Sequence, residues 1–181
     1  QLVNWLVSAP LTDTAILTSG IEWYEDEVGT QSAAYTKSAR DNKAAYVNMD
    51  YQLDPLSVEA SMRLDDNESY GNHATWQFAT GLQVTELVRL IGTVGTAFKA
   101  PTFNDLYYPE SAWSKGNPNL KPEQSISYDM AMEVALAFAD LRFGVYRSDV
   151  EDLIVWPAPT YYTPENVANA KIQGIELQAD F

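Results

Sequence analysis

The 181 residues are enough for one domain, and the absence of cysteine excludes disulfide bonds and cysteine metal sites. Asp and Glu number 25 against 11 Lys and Arg, giving a formal net charge of −14. This balance argues against a nucleic-acid partner, because phosphate binding needs a basic surface. No run of about 18 apolar residues occurs, which excludes a transmembrane helix.

Strict alternation of apolar and polar residues is the dominant pattern along the chain. Residues 56–65 are the clearest case, with apolar side chains at every even position and polar ones at every odd position. Such a period of two predicts strands with one apolar and one polar face. Taken in chain order, the pattern predicts about nine strands: 2–8, 14–28, 39–53, 56–66, 72–84, 87–98, 125–138, 141–155 and 169–181.

The predicted connections differ in length at the two ends of the strands. Tight turns are expected at Asp54-Pro55, Thr85-Glu86 and Ala139-Asp140, and a somewhat longer connection at 8–13. Long polar loops are expected at 28–38, 66–72, 99–124 and 156–168. Short turns at one end and long loops at the other are typical of bacterial outer-membrane barrels.

Charged residues recur on the polar face of the predicted strands. They are Glu22, Asp50, Glu59, Arg63, Arg89, Asp129, Glu133, Glu176 and Asp180. Many of the strands are also longer than the ~5–6 residues usual in soluble sheets. The fold class is therefore all-β, an antiparallel up-and-down meander that forms a partial transmembrane β-barrel. In the soluble alternative, the apolar faces of 45–53 and 128–138 would pack against each other.

Three motifs in register carry a family resemblance. The first combines Ala-Phe-Lys-Ala-Pro at 97–101, Leu106-Tyr107 and Gly-Asn-Pro-Asn-Leu-Lys-Pro-Glu-Gln-Ser at 116–125. The others are Tyr-Arg-Ser-Asp-Val-Glu-Asp-Leu-Ile at 146–154 and Asn-Ala-Lys-Ile-Gln-Gly-Ile-Glu at 169–176. Together they resemble a signature of TonB-dependent outer-membrane receptors. The segments 20–23, 63–67 and 71–77 are similar to those of cobalamin receptors, and siderophore receptors resemble them less.

The resemblance implies a fragment, residues 1–181, of a larger barrel in the outer membrane of a Gram-negative bacterium. It further implies a plug domain and flanking strands outside these residues, with TonB contacted only through that plug. The implied function is active uptake of a large scarce nutrient, cobalamin or a siderophore-like ligand, without an enzymatic role. A passive porin-like barrel and a soluble β-rich binding module remain alternatives.

Candidate functional residues lie in the long loops. Proline and asparagine in the 97–125 motif predict a structural role rather than ligand contact. We expect Pro101 to end a strand and Glu123 to accept hydrogen bonds from free backbone N–H groups. Exposed aromatic rings with polar edges suit a large amphipathic ligand. The predicted ligand-binding residues are Tyr107, Tyr108, Trp113, Tyr161 and Tyr162. The sequence predicts no catalytic constellation, cofactor or metal site, and the lone His73 is expected to be a polar surface residue.

Overall fold

A computed structural model describes residues 1–29, 34–157 and 162–181. In this part of the chain, nine strands form one sheet in sequence order, and each pairs antiparallel with the next. The strands are β1 Leu2–Thr12, β2 Ala15–Glu27, β3 Ala39–Leu53, β4 Leu56–Asn67, β5 Gly71–Gln83, β6 Val88–Lys99, β7 Glu123–Ala135, β8 Asp140–Val155 and β9 Glu165–Asp180. Helix α1, Phe103–Tyr107, lies between β6 and β7. No described helix is long and apolar enough to cross a membrane.

The predicted meander is thus confirmed, and the sheet stays open in these residues. Its apolar face is exposed rather than packed against a second layer. One row of cross-strand neighbours near the tight turns shows this: Leu53, Leu56, Leu82, Leu90, Met132, Phe143 and Leu177. Leu177 is 79% exposed and Leu53 50%. The segments 45–53 and 128–138, which a soluble sandwich would pack together, lie on the same face of one sheet.

The opposite face carries the polar side chains, and several form hydrogen-bonded groups. Arg63 lies at the centre of the largest, with its guanidinium 2.6 Å from Glu22 and 2.9 Å from Asp65. Asn42 donates to Asp65 at 2.9 Å, and Asn67 donates to Asn42 at 3.1 Å. Because Asp65 is 5% exposed, the guanidinium neutralises a charge that would otherwise be costly to bury.

The tight turns and long loops fall at opposite ends, as predicted. The turn predicted at Ala139-Asp140 is displaced to residues 136–139, because β7 ends at Ala135 and Asp140 already belongs to β8. There are three other differences. Strand β1 continues to Thr12, and the turn is Asp13-Thr14. Pro10 is tolerated there because it borders the register shift between Pro10 and Thr12, and a bulge is one of the places in a sheet that accept proline. Strand β9 begins at Glu165, four residues earlier than predicted.

The third difference is the predicted long loop 66–72, which is a turn of residues 68–70. The Asn67 side chain accepts a hydrogen bond from the Ser69 N–H at 2.9 Å and so closes the turn locally. Gly71 follows with φ of +80°, a backbone conformation that glycine adopts without strain. The remaining connections at this end, 28–38, 100–122 and 156–164, are long, and we call this the long-loop end.

Candidate functional site

Helix α1 organises the long-loop end because its first turn is capped in both directions. The Thr102 hydroxyl accepts a hydrogen bond from the Asp105 N–H, and the Asp105 carboxylate accepts one from the Thr102 N–H. This reciprocal capping satisfies donors that a short helix leaves free. Leu106 is the buried residue of the helix and is 2% exposed. The other oxygen of Asp105 accepts a hydrogen bond from the Trp156 indole at 2.9 Å, which ties the last long loop to α1.

A buried arginine attaches the start of this loop to the sheet. Arg40 on β3 donates to the Pro101 carbonyl oxygen at 2.8 Å and to Asp26 at 3.3 Å. Its guanidinium lies 4.8 Å from the centre of the Phe103 ring and 5.4 Å from that of Tyr70. The Arg40 side chain is 8% exposed, so these contacts form away from water and fix where the loop leaves the sheet.

The Gly116-Asn117 part of the motif closes the loop against α1. A side chain at Gly116 would place a Cβ 2.6 Å from the Tyr108 backbone nitrogen, so the close approach requires glycine. The Asn117 N–H donates to the Asp105 carbonyl at 2.7 Å, and its side-chain amide donates to the Pro164 carbonyl at 2.9 Å. The prediction that these residues serve the architecture is therefore confirmed.

The chain re-enters the sheet through another set of side-chain contacts. Asn166 and Lys121 exchange two hydrogen bonds of 2.9 Å, and Asn166 also donates to the Asp152 carbonyl at 2.7 Å. The Glu123 carboxylate accepts from the Ile154 N–H at 3.1 Å, as predicted. These bonds lie where the β8–β9 register shifts, so side chains replace ladder hydrogen bonds that the irregularity disrupts.

Four of the five predicted ligand-binding residues lie in this structure. Tyr107 and Tyr108 end helix α1 and are half-buried. Trp113 is 71% exposed and Tyr162 38%. Backbone hydrogen bonds join the last two, since the Tyr162 N–H donates to the Trp113 carbonyl at 2.8 Å. Tyr161 lies outside the described residues.

Backbone contacts connect these two pairs of aromatic residues through one short segment. The Lys115 N–H donates to the Tyr162 carbonyl at 3.0 Å, and the Gly116 N–H donates to the Tyr108 carbonyl at 3.0 Å. Residues 115 and 116 therefore link Tyr162 to the end of α1. We call Tyr107, Tyr108, Trp113 and Tyr162 the loop aromatics. Their backbone is well fixed, while Trp113 has most of its ring in solvent.

Sequence reasoning missed two residues beside the loop aromatics. Tyr35 contacts Tyr108 edge-to-face at 6.3 Å between ring centres and donates to Asn104 at 2.5 Å. Lys37 lies 5.9 Å from the Tyr107 ring centre and pairs with Glu68 at 3.0 Å. Both belong to the predicted loop 28–38. The signal that could have identified them was an aromatic residue and a cation close together in a long polar loop.

Electrostatics at this end keep two groups in defined protonation states. The hydrogen bond from Lys37 holds the pKa of Glu68 below its usual value, with help from the Asp41 N–H. Burial raises the pKa of the Tyr70 phenol, so it stays neutral beside Arg40. His73 hydrogen-bonds to the Tyr70 carbonyl at 3.2 Å and stacks on Phe98 at 5.0 Å, so it is a half-buried packing residue rather than a surface one.

The chemistry that these residues offer is noncovalent recognition. Aromatic faces with hydroxyl and indole edges bind flat amphipathic surfaces, and a neighbouring lysine can meet an anionic group. Within 1–29, 34–157 and 162–181, no group of three or more His, Cys, Asp or Glu side chains is arranged to hold a metal ion.

Comparison with known proteins agrees with this arrangement. The family model for the TonB dependent receptor-like β-barrel matches residues 6–181. The vitamin B12 transporter BtuB of Photobacterium profundum is 41% identical over 99% of this chain and 30% of its own length. The BtuB protein of Vibrio vulnificus strain YJ016 is 40% identical with the same coverage. The chain thus spans about 30% of the length of these relatives.

Solved structures of the same architecture are similar in fold. The siderophore receptor PirA of Pseudomonas aeruginosa matches with a TM-score of 0.85 and 23% identity over 97% of this chain and 36% of its own. PirA of Acinetobacter baumannii matches with a TM-score of 0.83 and 21% identity over 98% and 34%. The matched receptors are Gram-negative outer-membrane proteins, so the predicted location is confirmed. This chain belongs to the family of TonB-dependent receptor β-barrels.

Proposed function

We propose that this chain forms part of the barrel wall and extracellular loops of an outer-membrane receptor that takes up cobalamin. The observation that carries the proposal is 41% identity across 99% of the chain to a vitamin B12 transporter. The siderophore receptors of similar fold reach 21% and 23% identity. The higher sequence identity to the vitamin B12 transporter supports cobalamin as the ligand. The similarity to the siderophore receptors is one of fold, and a shared barrel fold does not by itself determine the ligand.

In this proposal residues 1–181 are a partial barrel domain, and the plug domain and flanking strands lie in the rest of the receptor. Energy reaches the receptor from TonB through that plug, so these residues make no TonB contact of their own. The role is recognition and transport rather than catalysis.

The proposed ligand contacts are the loop aromatics, with Tyr161 as a further candidate from its position next to Tyr162. Trp113 is the strongest of them because its ring is 71% exposed while its backbone is fixed to Tyr162. A large amphipathic ligand covers such a ring at little entropic cost, since the supporting loop is already ordered.

The test is binding of cyanocobalamin and of a ferric siderophore to the full-length receptor in detergent. Trp113→Ala should weaken cyanocobalamin binding by about tenfold, the loss usual for an exposed aromatic contact. Trp76→Ala is the matched control, because Trp76 is 43% exposed on the apolar face, away from the loops. It should leave affinity unchanged.

Each other outcome favours a different function. Tight siderophore binding without cyanocobalamin binding would favour a siderophore receptor. Steady ion conductance through the receptor in planar bilayers, with neither ligand bound, would favour a passive porin-like barrel. Equal effects of Trp113→Ala and Trp76→Ala on cyanocobalamin affinity would show that Trp113 is not a ligand contact. The binding assay would still identify which ligand the receptor binds.

A further inference from the structure

Strands β5 and β6 separate near the long-loop end of the sheet. Their register runs upward from the tight turn at 84–87 and stops at the pair Gln77–Gly95. Above that pair each strand stays aligned with its other neighbour, β5 with β4 and β6 with β7. In this described part of the sheet, residues 71–76 of β5 therefore face residues 96–99 of β6 across a gap, which we call the β5–β6 slit.

Side chains, rather than a backbone ladder, bridge the β5–β6 slit. The Trp76 N–H donates to the Thr96 hydroxyl at 3.1 Å, just above the last paired residues. Higher up, the His73 and Phe98 rings stack with 5.0 Å between their centres, and a cavity of about 250 Å³ lies beside them. At the lower end, a Cβ on Gly95 would lie 3.1 Å from the Trp76 carbonyl oxygen, so glycine allows the close approach from which the strands part. Local opening takes least free energy where backbone hydrogen bonds are sparse, as they are here.

The slit separates two sets of loops. Helix α1 and the loop 100–122 lie on the side of β6 to β9, where Trp156 ties them to the last long loop. The loop 28–38 joins β2 to β3 and lies on the other side. All the loop aromatics are thus on one side of the slit, and their neighbours Tyr35 and Lys37 are on the opposite side.

Arg40 closes the slit at its upper end. It lies on β3, and its guanidinium contacts the Tyr70 ring, which precedes β5, and the Phe103 ring, which follows β6. The same guanidinium donates to the Pro101 carbonyl oxygen at 2.8 Å. One buried side chain thus holds both edges of the slit, and loss of its contacts releases the two edges together.

We propose that the β5–β6 slit is a hinge line in the barrel wall and that Arg40 is the latch that keeps it closed. When the latch is released, the loop 100–122 turns away from β1 to β5 about the paired part of β5 and β6. This motion widens the space between the loop aromatics and the two residues Tyr35 and Lys37. The hinge itself needs no ligand, and its effect on cyanocobalamin binding rests on the function proposed above.

Distances between spin labels on the full-length receptor in detergent test the hinge. One pair, Asn72→Cys with Gln124→Cys, uses exposed positions on opposite sides of the slit. The control pair, Gln124→Cys with Lys171→Cys, lies entirely on the side of β6 to β9. Arg40→Met should lengthen the first distance by more than ~2 Å, the size that marks a loop or hinge rearrangement. The control distance should stay unchanged.

A disulfide across the slit should cancel the effect of Arg40→Met. Continuing the β5–β6 register upward places Thr75 opposite Ala97 on the same face, so cysteines at these positions can join the two edges. Oxidation of Thr75→Cys with Ala97→Cys should restore the shorter spin-label distance, and reduction should release it again. The control disulfide, Ala79→Cys with Thr93→Cys, joins residues that are already paired below the slit and should restore nothing.

Three outcomes would overturn the hinge. The first is an unchanged distance across the slit in folded Arg40→Met; if that variant does not fold, Phe103→Ala, which removes one of the rings at the latch, takes its place. The second is an equal shift of the control distance, which would mean general loosening of the sheet. The third is no effect of the Thr75–Ala97 disulfide on the distance.

Cyanocobalamin affinity of the same variants separates the hinge from the proposed function. Weaker binding by Arg40→Met, recovered on oxidation of the Thr75–Ala97 cysteines, would support both. Distances that respond as expected, with unchanged affinity, would support the hinge and overturn the assignment of the loop aromatics as the ligand site. Changed affinity with unchanged distances would overturn the hinge and leave the ligand site in place.

Discussion

Arg40 is expected to hold the 100–122 loop in place, and Arg40→Met removes its charge while keeping an unbranched stem. The hydrogen bond from a charged donor to the Pro101 carbonyl contributes about 1.5–3 kcal/mol. The contacts with the Phe103 and Tyr70 rings add about 0.5–1 kcal/mol each. Asp26 is 43% exposed, so its ion pair adds little. The total is about 3 kcal/mol of local stability.

Hydrogen exchange of the full-length receptor measures this stability directly. A loss of about 3 kcal/mol corresponds to about 100-fold faster exchange through local opening. The reporting amides are those of Leu106 and Asn117, which donate to Thr102 and Asp105 in the intact loop.

Two further variants sharpen the result. Arg40→Lys keeps the charge but loses the planar guanidinium fork, so its exchange should be intermediate. Arg147→Met is the control, since Arg147 is half-exposed and pairs with Asp149 on β8, away from the loop. Unchanged exchange at 103–117 in Arg40→Met would refute the reasoning and mean that the capped helix holds the loop by itself.

The other predictions concern the loop, its pH dependence and the polar face. Gly116→Ala should cost about 1–3 kcal/mol of loop stability through overpacking, measured as proteolysis within 100–122, whereas Gly29→Ala, with open space around it, should not. Lys37→Gln should return the lowered pKa of Glu68 toward its usual value in a carboxyl NMR titration. Because the pKa of Glu68 is lowered in the folded state, its ionised carboxylate stabilises the loop at pH values above the unfolded-state pKa. That contribution is lost as the pH falls through the folded-state pKa. An unchanged titration in Lys37→Gln would exclude the ion pair as the cause of the lowered pKa. Arg63→Met should cost about 3–5 kcal/mol by leaving buried carboxylate charge unpaired, and an unchanged melting temperature in detergent would contradict this.

The sequence by itself determined the strands, their faces and the family. Side chains of a strand point alternately to opposite faces, whichever strands lie beside it. The period of two was therefore sufficient to predict strand β4 and to place Glu22 and Arg63 on the same face of the sheet. The loop motif was also readable, because Pro101 and Gly116 act on their own backbone or on residues close in the chain. Strand ends were less certain, since the roles of Pro10 and Asn166 depend on irregular strand register, in β1–β2 and in β8–β9 respectively.

Only the tertiary structure decided which distant residues meet. Arg40 lies 61 positions before Pro101, and Tyr35 lies 69 before Asn104, so no local pattern marks either contact. Long-range contacts depend on how strands are aligned across the whole sheet, and that alignment is a collective property rather than a property of any one segment.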